Sequence, residues 1–252
     1  MQMEFTGERF LPELLSAKIS YEHWHRYMFA SRFCTQKRVL DIACGEGFGS
    51  SFLSKNAESV VGVDIDPVVI EHAKGKYHRD RLSFMVSNAT SVPFESEEFD
   101  VIVSFETLEH LTKDDQDVFI EEMVRVLRED GTLIISTPNK KVYSDDANYS
   151  NPFHLSEFYK KEFMSFLSGR FKNIAIFSQQ VIGASLISRE SESVYDIEHI
   201  HMRSSGFIPG IFNDEIEMEY MIGVCSQNNF SAAGSILLDD TNKLFDSNIK
   251  AP

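Results

Sequence analysis

Positive charge is what this sequence lacks most. Twenty-four Lys and Arg stand against 39 Asp and Glu, a formal net charge of −15 over 252 residues. Neutralising nucleic-acid phosphates requires clustered cations, so no nucleic acid is expected as a main partner, whereas a cationic cofactor would be at home. Cysteine is scarce as well. Cys34, Cys44 and Cys225 form no CxxC pair and are odd in number, which supports neither a disulfide framework nor a zinc knuckle. No apolar run approaches the roughly 20 residues of a bilayer span, so no membrane span is expected. The opening "MQMEFTGERFLPELL" has neither the basic nor the apolar block of a secretory signal, which makes the cytoplasm the expected compartment. Internal repeats are absent too.

What is present is ordinary for a globular enzyme-sized chain. Hydrophobic residues make up 42% and charged residues 25%, and the length suits one α/β core with decorations. Phenylalanine is over-used, at 21 residues, first as core material and second as lining for an apolar or aromatic site. β-branched apolar runs predict strands at 38–42, 59–64, 82–87, 101–105 and 132–136. Helices are predicted at 49–55, at 67–77 with Pro67 in the first turn, and at 113–127, closed by "REDG" with a glycine suited to a C-cap. This alternation predicts right-handed βαβ units and a parallel sheet covered on both faces.

Beyond Pro138 the rhythm changes. "NKKVYSDDANYSNPFH" reads as a polar loop over a site, or as a plain surface connection. A helix at 156–167 and a strand at 171–177 should follow. Residues 178–214 form a long connection, expected to be an acceptor-side insertion, before a last apolar stretch at 217–225. The expected organisation is therefore a helical cap segment (1–36), a main domain (37–226) and a polar tail (227–252).

The stretch "VLDIACGEGFGS" joins a buried strand to three glycines, Gly45, Gly47 and Gly49, and then a helix. Such a loop brings backbone N–H groups and a helix N-terminus to a ligand with no side chain in the way. The spacing is not that of the dinucleotide fingerprint, and no Gly-Lys-Ser/Thr ending is present for a phosphate loop. "GVDID" ends the next strand in Asp64, about 20 residues on, where a carboxylate can accept from both hydroxyls of a ribose. Asn88 and Ala89 of "SNATSVPF" follow the third strand, placed for an adenine edge.

Taken in order, "LDIACGEGFG", "GVDID", "SNATSVPF" and "FDVIVSFETLEHL" resemble the successive motifs of the class I S-adenosylmethionine-dependent methyltransferases, over roughly residues 39–138. The resemblance implies a Rossmann-like α/β fold with a mostly parallel seven-stranded sheet. It implies that Asp41, Gly45 and Gly47 frame the methionine moiety, Asp64 the ribose, Asn88 and Ala89 the adenine, that Ile65 is a cofactor-binding residue, and that Phe105 lies against the cofactor. Two departures stand out: Asn88 where aspartate is more usual, and Ala43 where glycine is common. "TGERFLP", "YEHWHRYMFA" and "NPFHLSEFYKKEF" are similar to segments of methyltransferases from nucleotide-sugar and polysaccharide pathways, which implies that Arg26 or Tyr27 closes over the cofactor carboxylate.

Methyl transfer to a hydroxyl needs alignment and removal of a proton of high pKa, by a base or a metal ion. Glu106, Glu109 and His110 of "ETLEH" fall at i, i+3 and i+4, one face of a helical turn after the fourth strand. A matching ExxEH carries a divalent metal in ubiquinone-type O-methyltransferases, so the resemblance implies Mg2+ or Mn2+ there. Without metal, His110 is the expected base, with His154 the second candidate; a cap for the next helix is the plain alternative. His23 and His25 are placed to reach the same mouth, and Glu198, His199 and His201 form a further group facing ligand or solvent. The expected activity is O-methylation of a sugar hydroxyl, nucleotide-linked or in a glycan precursor. A quinone-like or phenolic acceptor, a glycan phosphate, and a non-catalytic cofactor-binding module are the alternatives. Nothing in the sequence determines the oligomeric state, and a homodimer is compatible with it.

Overall fold

The structure is a computed structural model that describes residues 17–181 and 217–229. The chain runs α1 (Ala17–Ser31), β1 (Arg38–Ile42), α2 (Phe48–Leu53), β2 (Ser59–Asp64), α3 (Pro67–Lys76), β3 (Leu82–Val86) and β4 (Phe99–Phe105). It continues through a 3₁₀ turn (Leu108–His110), α4 (Lys113–Val126), β5 (Leu127–Pro138), a wide π-type turn (Lys141–Asp146), α5 (Lys160–Ser168), β6 (Asn173–Gln179) and β7 (Tyr220–Ser226). The seven strands form one sheet in the order β3-β2-β1-β4-β5-β7-β6. All neighbours are parallel except β7, which runs against both β5 and β6.

The period of two along each strand divides the core between the faces. Leu40, Ile42, Ile102, Leu133, Ile135 and Met221 pack with Phe119, Met123 and Phe163 of α4 and α5. Their alternates Val39, Val101, Val103, Ile134, Ile222 and Val224 pack with Tyr27 and Phe29 of α1. Helix starts follow local chemistry. Asp66 accepts from the Val68 N–H and Pro67 opens α3, while Thr112 accepts from the Asp115 N–H with Asp114 and Asp115 in the first turn of α4.

Two expectations need correction. Helix α4 stops at Val126 and "REDG" is no cap: Leu127 pairs with Phe99, the register then shifts to Val101 opposite Thr132, and residues 128–131 bulge from the ladder. The helix expected from 156 begins at Lys160, because the Ser156 N–H is held by the Glu109 carbonyl and Glu157 by His154. The polar stretch after β5 includes the π-type turn. Residues 182–214 of the expected insertion, with Glu198, His199 and His201, lie outside the described residues, as do "TGERFLP" and the tail from 230. No helix among the described residues is long and apolar enough to cross a membrane.

Candidate active site

The carboxyl ends of β1, β2 and β4 open onto a cavity of about 660 Å³, where a sheet of this order binds ligands. One wall is α1, whose Ile19, Glu22, His23, Arg26 and Tyr27 recur at helical spacing; His25 points elsewhere.

The glycine loop forms the floor. Gly47 has φ +88°, and a Cβ there would lie 2.7 Å from the Phe84 ring and 2.9 Å from Ala73, so only glycine fits. Asp64 ties the loop down: its Oδ2 accepts from the Gly45 N–H at 3.0 Å and its Oδ1 from the Asp66 N–H at 3.0 Å. Asp64, Ile65, Asn88, Ala89 and Phe105 all line the cavity. The Asn88 Oδ1 accepts from Thr90 N and Oγ1, both at 3.0 Å.

Asp41 and Gly47 do not line the cavity; they hold its wall from behind. Asp41 is fully buried and accepts from Ser50 Oγ at 2.5 Å and from Tyr27 Oη at 3.1 Å. Burial pushes its pKa up to about 7 against the pull of those two donors. Tyr27, placed by sequence at the cofactor carboxylate, instead gives its hydroxyl to Asp41 and packs its ring edge-on against Phe48 and Phe105. Gly49, read only as part of the loop, has a separate reason: a Cβ there would sit 2.0 Å from Tyr27 Cζ.

Arg26 is 1% exposed. Its Nε–H donates to Gln179 Oε1 at 2.7 Å, and Gln179 Nε2 donates to the Glu22 carbonyl at 2.9 Å, which fixes the guanidinium plane over the Tyr220 ring. Glu106 Oε2 is 3.7 Å from Nη2, yet neither Nη1 nor Nη2 has a hydrogen-bond partner. A buried cation with unmade hydrogen bonds suits an anion.

The "ETLEH" end of the cavity differs from the expected helical face. Glu106 has φ +52° and lies outside the 3₁₀ turn; it lines the cavity, but its Oε1 accepts from Ser136 Oγ at 2.6 Å and its Oε2 faces Arg26, so it does not join Glu109 and His110. In its place His154 joins Glu109 and His110: one ligand atom from each lies within 4.8 Å of the other two. Backbone bonds force the meeting, since the N–H groups of Leu155 and Ser156 both donate to the Glu109 carbonyl and Gln116 Nε2 donates to the carbonyls of Leu108 and Ser156. His110 Nδ1 donates to the Phe153 carbonyl at 3.1 Å, so its Nε2 carries the lone pair, 3.9 Å from Glu109 Oε1. His154 Nδ1 donates to Glu157 Oε1 at 2.6 Å, and Ser144 Oγ donates to the other carboxylate oxygen at 2.6 Å. Glu109 is 1% exposed; burial and the nearby Glu106 hold its pKa well above the usual carboxylate range. Tyr143 stacks on His154 at 5.3 Å and, with Tyr149 and Asn151, completes the rim.

Sequence reasoning missed Glu22, Gln179, Glu157, Tyr143 and Tyr220. Glu157 had a legible signal, the i, i+3 spacing from His154. Gln179 and Tyr220 had none, because β6 and β7 reach α1 only through the sheet.

Sheet order, glycine loop, strand-ending acid and cavity together define the Rossmann-like class I methyltransferase fold. Residues 40–135 match the family described as "Methyltransferase domain". A protein of Mycobacterium tuberculosis named as a probable S-adenosylmethionine-dependent methyltransferase is 35% identical over 167 residues, 66% of this chain and 60% of that protein. The chain thus spans about 60% of the length of that relative. A ubiquinone biosynthesis O-methyltransferase of Pelagibacter ubique is 34% identical over 42% of this chain and 44% of its own. Among solved structures, the YcgJ protein from Bacillus subtilis superposes with a TM-score of 0.52 at 25% identity, over 63% of this chain and 71% of that one.

Proposed function

We propose that this protein transfers the methyl group of S-adenosylmethionine to a hydroxyl of a small acceptor, a sugar in the leading reading. The observation that carries the cofactor is the buried Arg26 fork with two unpartnered nitrogens, which suits a carboxylate, facing the same cavity as the Asp64 carboxylate, which suits a ribose diol. When bound, S-adenosylmethionine supplies a methyl group on a sulfonium, an electrophile that needs no further activation.

The chain's own work is then to hold the acceptor in line and take its proton. His110 and His154 each have Nδ1–H fixed by an oxygen acceptor, which sets Nε2 as the proton-accepting nitrogen. For His154 the acceptor is the Glu157 carboxylate, and the imidazolium formed on proton uptake is stabilised by it. Asn151 Nδ2, 3.0 Å from His154 Nε2, is the bond that an acceptor hydroxyl has to replace.

A divalent metal fits the same cluster, though not as first expected. Glu109, His110 and His154 offer one carboxylate and two imidazoles, a set that favours Mn2+ or a softer ion over Mg2+. Each imidazole already gives its other N–H to an oxygen, as metal-ligating histidines do. Held by these three residues, an ion would supply Lewis-acid polarisation of an acceptor hydroxyl.

A sugar alcohol ionises far above neutrality and needs this much help, whereas a phenol needs less. The phenolic reading is favoured instead by the Pelagibacter relative, named for ubiquinone biosynthesis. The deciding experiment measures S-adenosylmethionine turnover by chelator-treated protein with nucleotide-sugars and with phenols, with and without Mg2+ or Mn2+. Methylated sugar is the expected product; turnover of phenols alone would reverse the order of the two readings, and none with any hydroxyl acceptor would remove both.

A further inference from the structure

Two oppositely charged groups on α1 are both left incomplete. Glu22 and Arg26 stand at i, i+4, line the same cavity and are 3% and 1% exposed. Glu22 Oε2 accepts from Tyr220 Oη at 3.3 Å, but Oε1 is buried with no hydrogen-bond partner. The nearest cation, Lys18 Nζ, is 3.6 Å from that oxygen and is drawn off by Glu219, both of whose carboxylate oxygens lie 2.8 Å from it. Arg26, one turn on, makes no hydrogen bond through Nη1 or Nη2, although Glu106 Oε2 lies 3.7 Å from Nη2, so the two residues do not satisfy each other. Buried charges are retained when something pairs with them. The complement of an acceptor oxygen and a donor fork one helical turn apart is a group carrying an ammonium and a carboxylate on neighbouring atoms.

We infer that Glu22 receives the ammonium of the cofactor's amino-acid end while Arg26 receives its carboxylate, making α1 a reader of the α-amino-acid zwitterion. This assignment rests on the cofactor reading above. It explains why Tyr220 contributes both its face to Arg26 and its hydroxyl to Glu22: one ring from β7 sets the spacing of the pair. It also explains Gln179, which uses its amide to tie the Arg26 Nε–H to the carbonyl of Glu22 itself. Burial raises the Glu22 pKa, with Glu219 and Glu106 adding to it and Arg26 and Lys18 opposing; a bound ammonium acts in the same sense as those cations.

The test is calorimetric binding of S-adenosylhomocysteine and of its analogue lacking only the amino group, to the wild type and to Glu22→Gln. The wild type should bind the desamino analogue about 10- to 100-fold more weakly, the range for one hydrogen bond to a charged group. Glu22→Gln should lose a similar factor for S-adenosylhomocysteine and nothing further for the analogue. Equal wild-type affinity for both ligands, or an equal loss of both in Glu22→Gln, would overturn the assignment. Thermal melting checks that the variant folds. If it does not, the wild type's preference for the amino ligand should decline as acid protonates Glu22, and a preference unchanged with pH overturns the proposal. A wild type that binds neither ligand refutes the cofactor reading, a separate result.

Discussion

Gly49→Ala sets two effects of opposite sign against each other. Gly49 lies inside α2, and an exposed helix glycine replaced by alanine gains about 1 kcal/mol. Here the added Cβ would lie 2.0, 2.2 and 2.3 Å from three ring atoms of Tyr27, which must move. Overpacking of this kind costs about 1 to 3 kcal/mol. Moving the ring also breaks the Tyr27 hydroxyl's bond to the buried Asp41, worth about 1.5 to 3 kcal/mol for a charged partner. Sterics should therefore win, with a net loss of about 2 to 5 kcal/mol, a large part of the 5 to 15 kcal/mol of a typical domain. Urea unfolding followed by circular dichroism measures it. In a Tyr27→Ala background the same substitution should be neutral or stabilising, a coupling above about 2 kcal/mol in the double-mutant cycle. A single Gly49→Ala variant as stable as the wild type would refute the packing of α1 on α2 described above.

Ala43, at φ +57°, occupies the left-handed region without being glycine. Ala43→Gly should stabilise by up to about 1 kcal/mol in the same assay. Asp41 has a folded pKa of about 7 against 3.8 unfolded, so between those values folding takes up a proton and this residue's contribution falls as pH rises. At about 1.4 kcal/mol per unit the loss approaches roughly 4 kcal/mol by neutrality and is flat above. Asp41→Asn should remove that slope, seen as a smaller stability difference between pH 4 and pH 8 than in the wild type. His154→Ala should lower kcat by about 10²- to 10⁴-fold with the affinity for S-adenosylhomocysteine unchanged. Glu157→Gln should reduce kcat less and shift the pH-rate profile, because it acts through the imidazole; an unaltered profile would take Glu157 out of the mechanism.

Much of this protein was legible in one dimension. Continuous β-branched apolar runs placed β1 to β5, and β1 and β2 match their expected bounds, because a parallel strand buried on both faces needs such a stretch whatever its neighbours. Gly45, Gly47 and Asp64 could be read from spacing, since a tight turn and a strand end are local events. The "REDG" cap failed for the opposite reason: Leu127 is drawn into the sheet by Phe99, a residue far away in sequence.

Sequence alone therefore determined the class of fold, the glycine-loop end of the cavity and the residue types available for proton transfer. Tertiary structure decided which of them meet. It held Glu106 to Ser136 and brought His154 to Glu109 and His110 through hydrogen bonds from the segment after β5. It also left Arg26 and Glu22 side by side with unmade bonds, using Gln179 and Tyr220 from two strands at the far end of the chain. Local spacing specifies what a residue offers; only the sheet order, which places β6 and β7 beside α1, specifies what it is offered to.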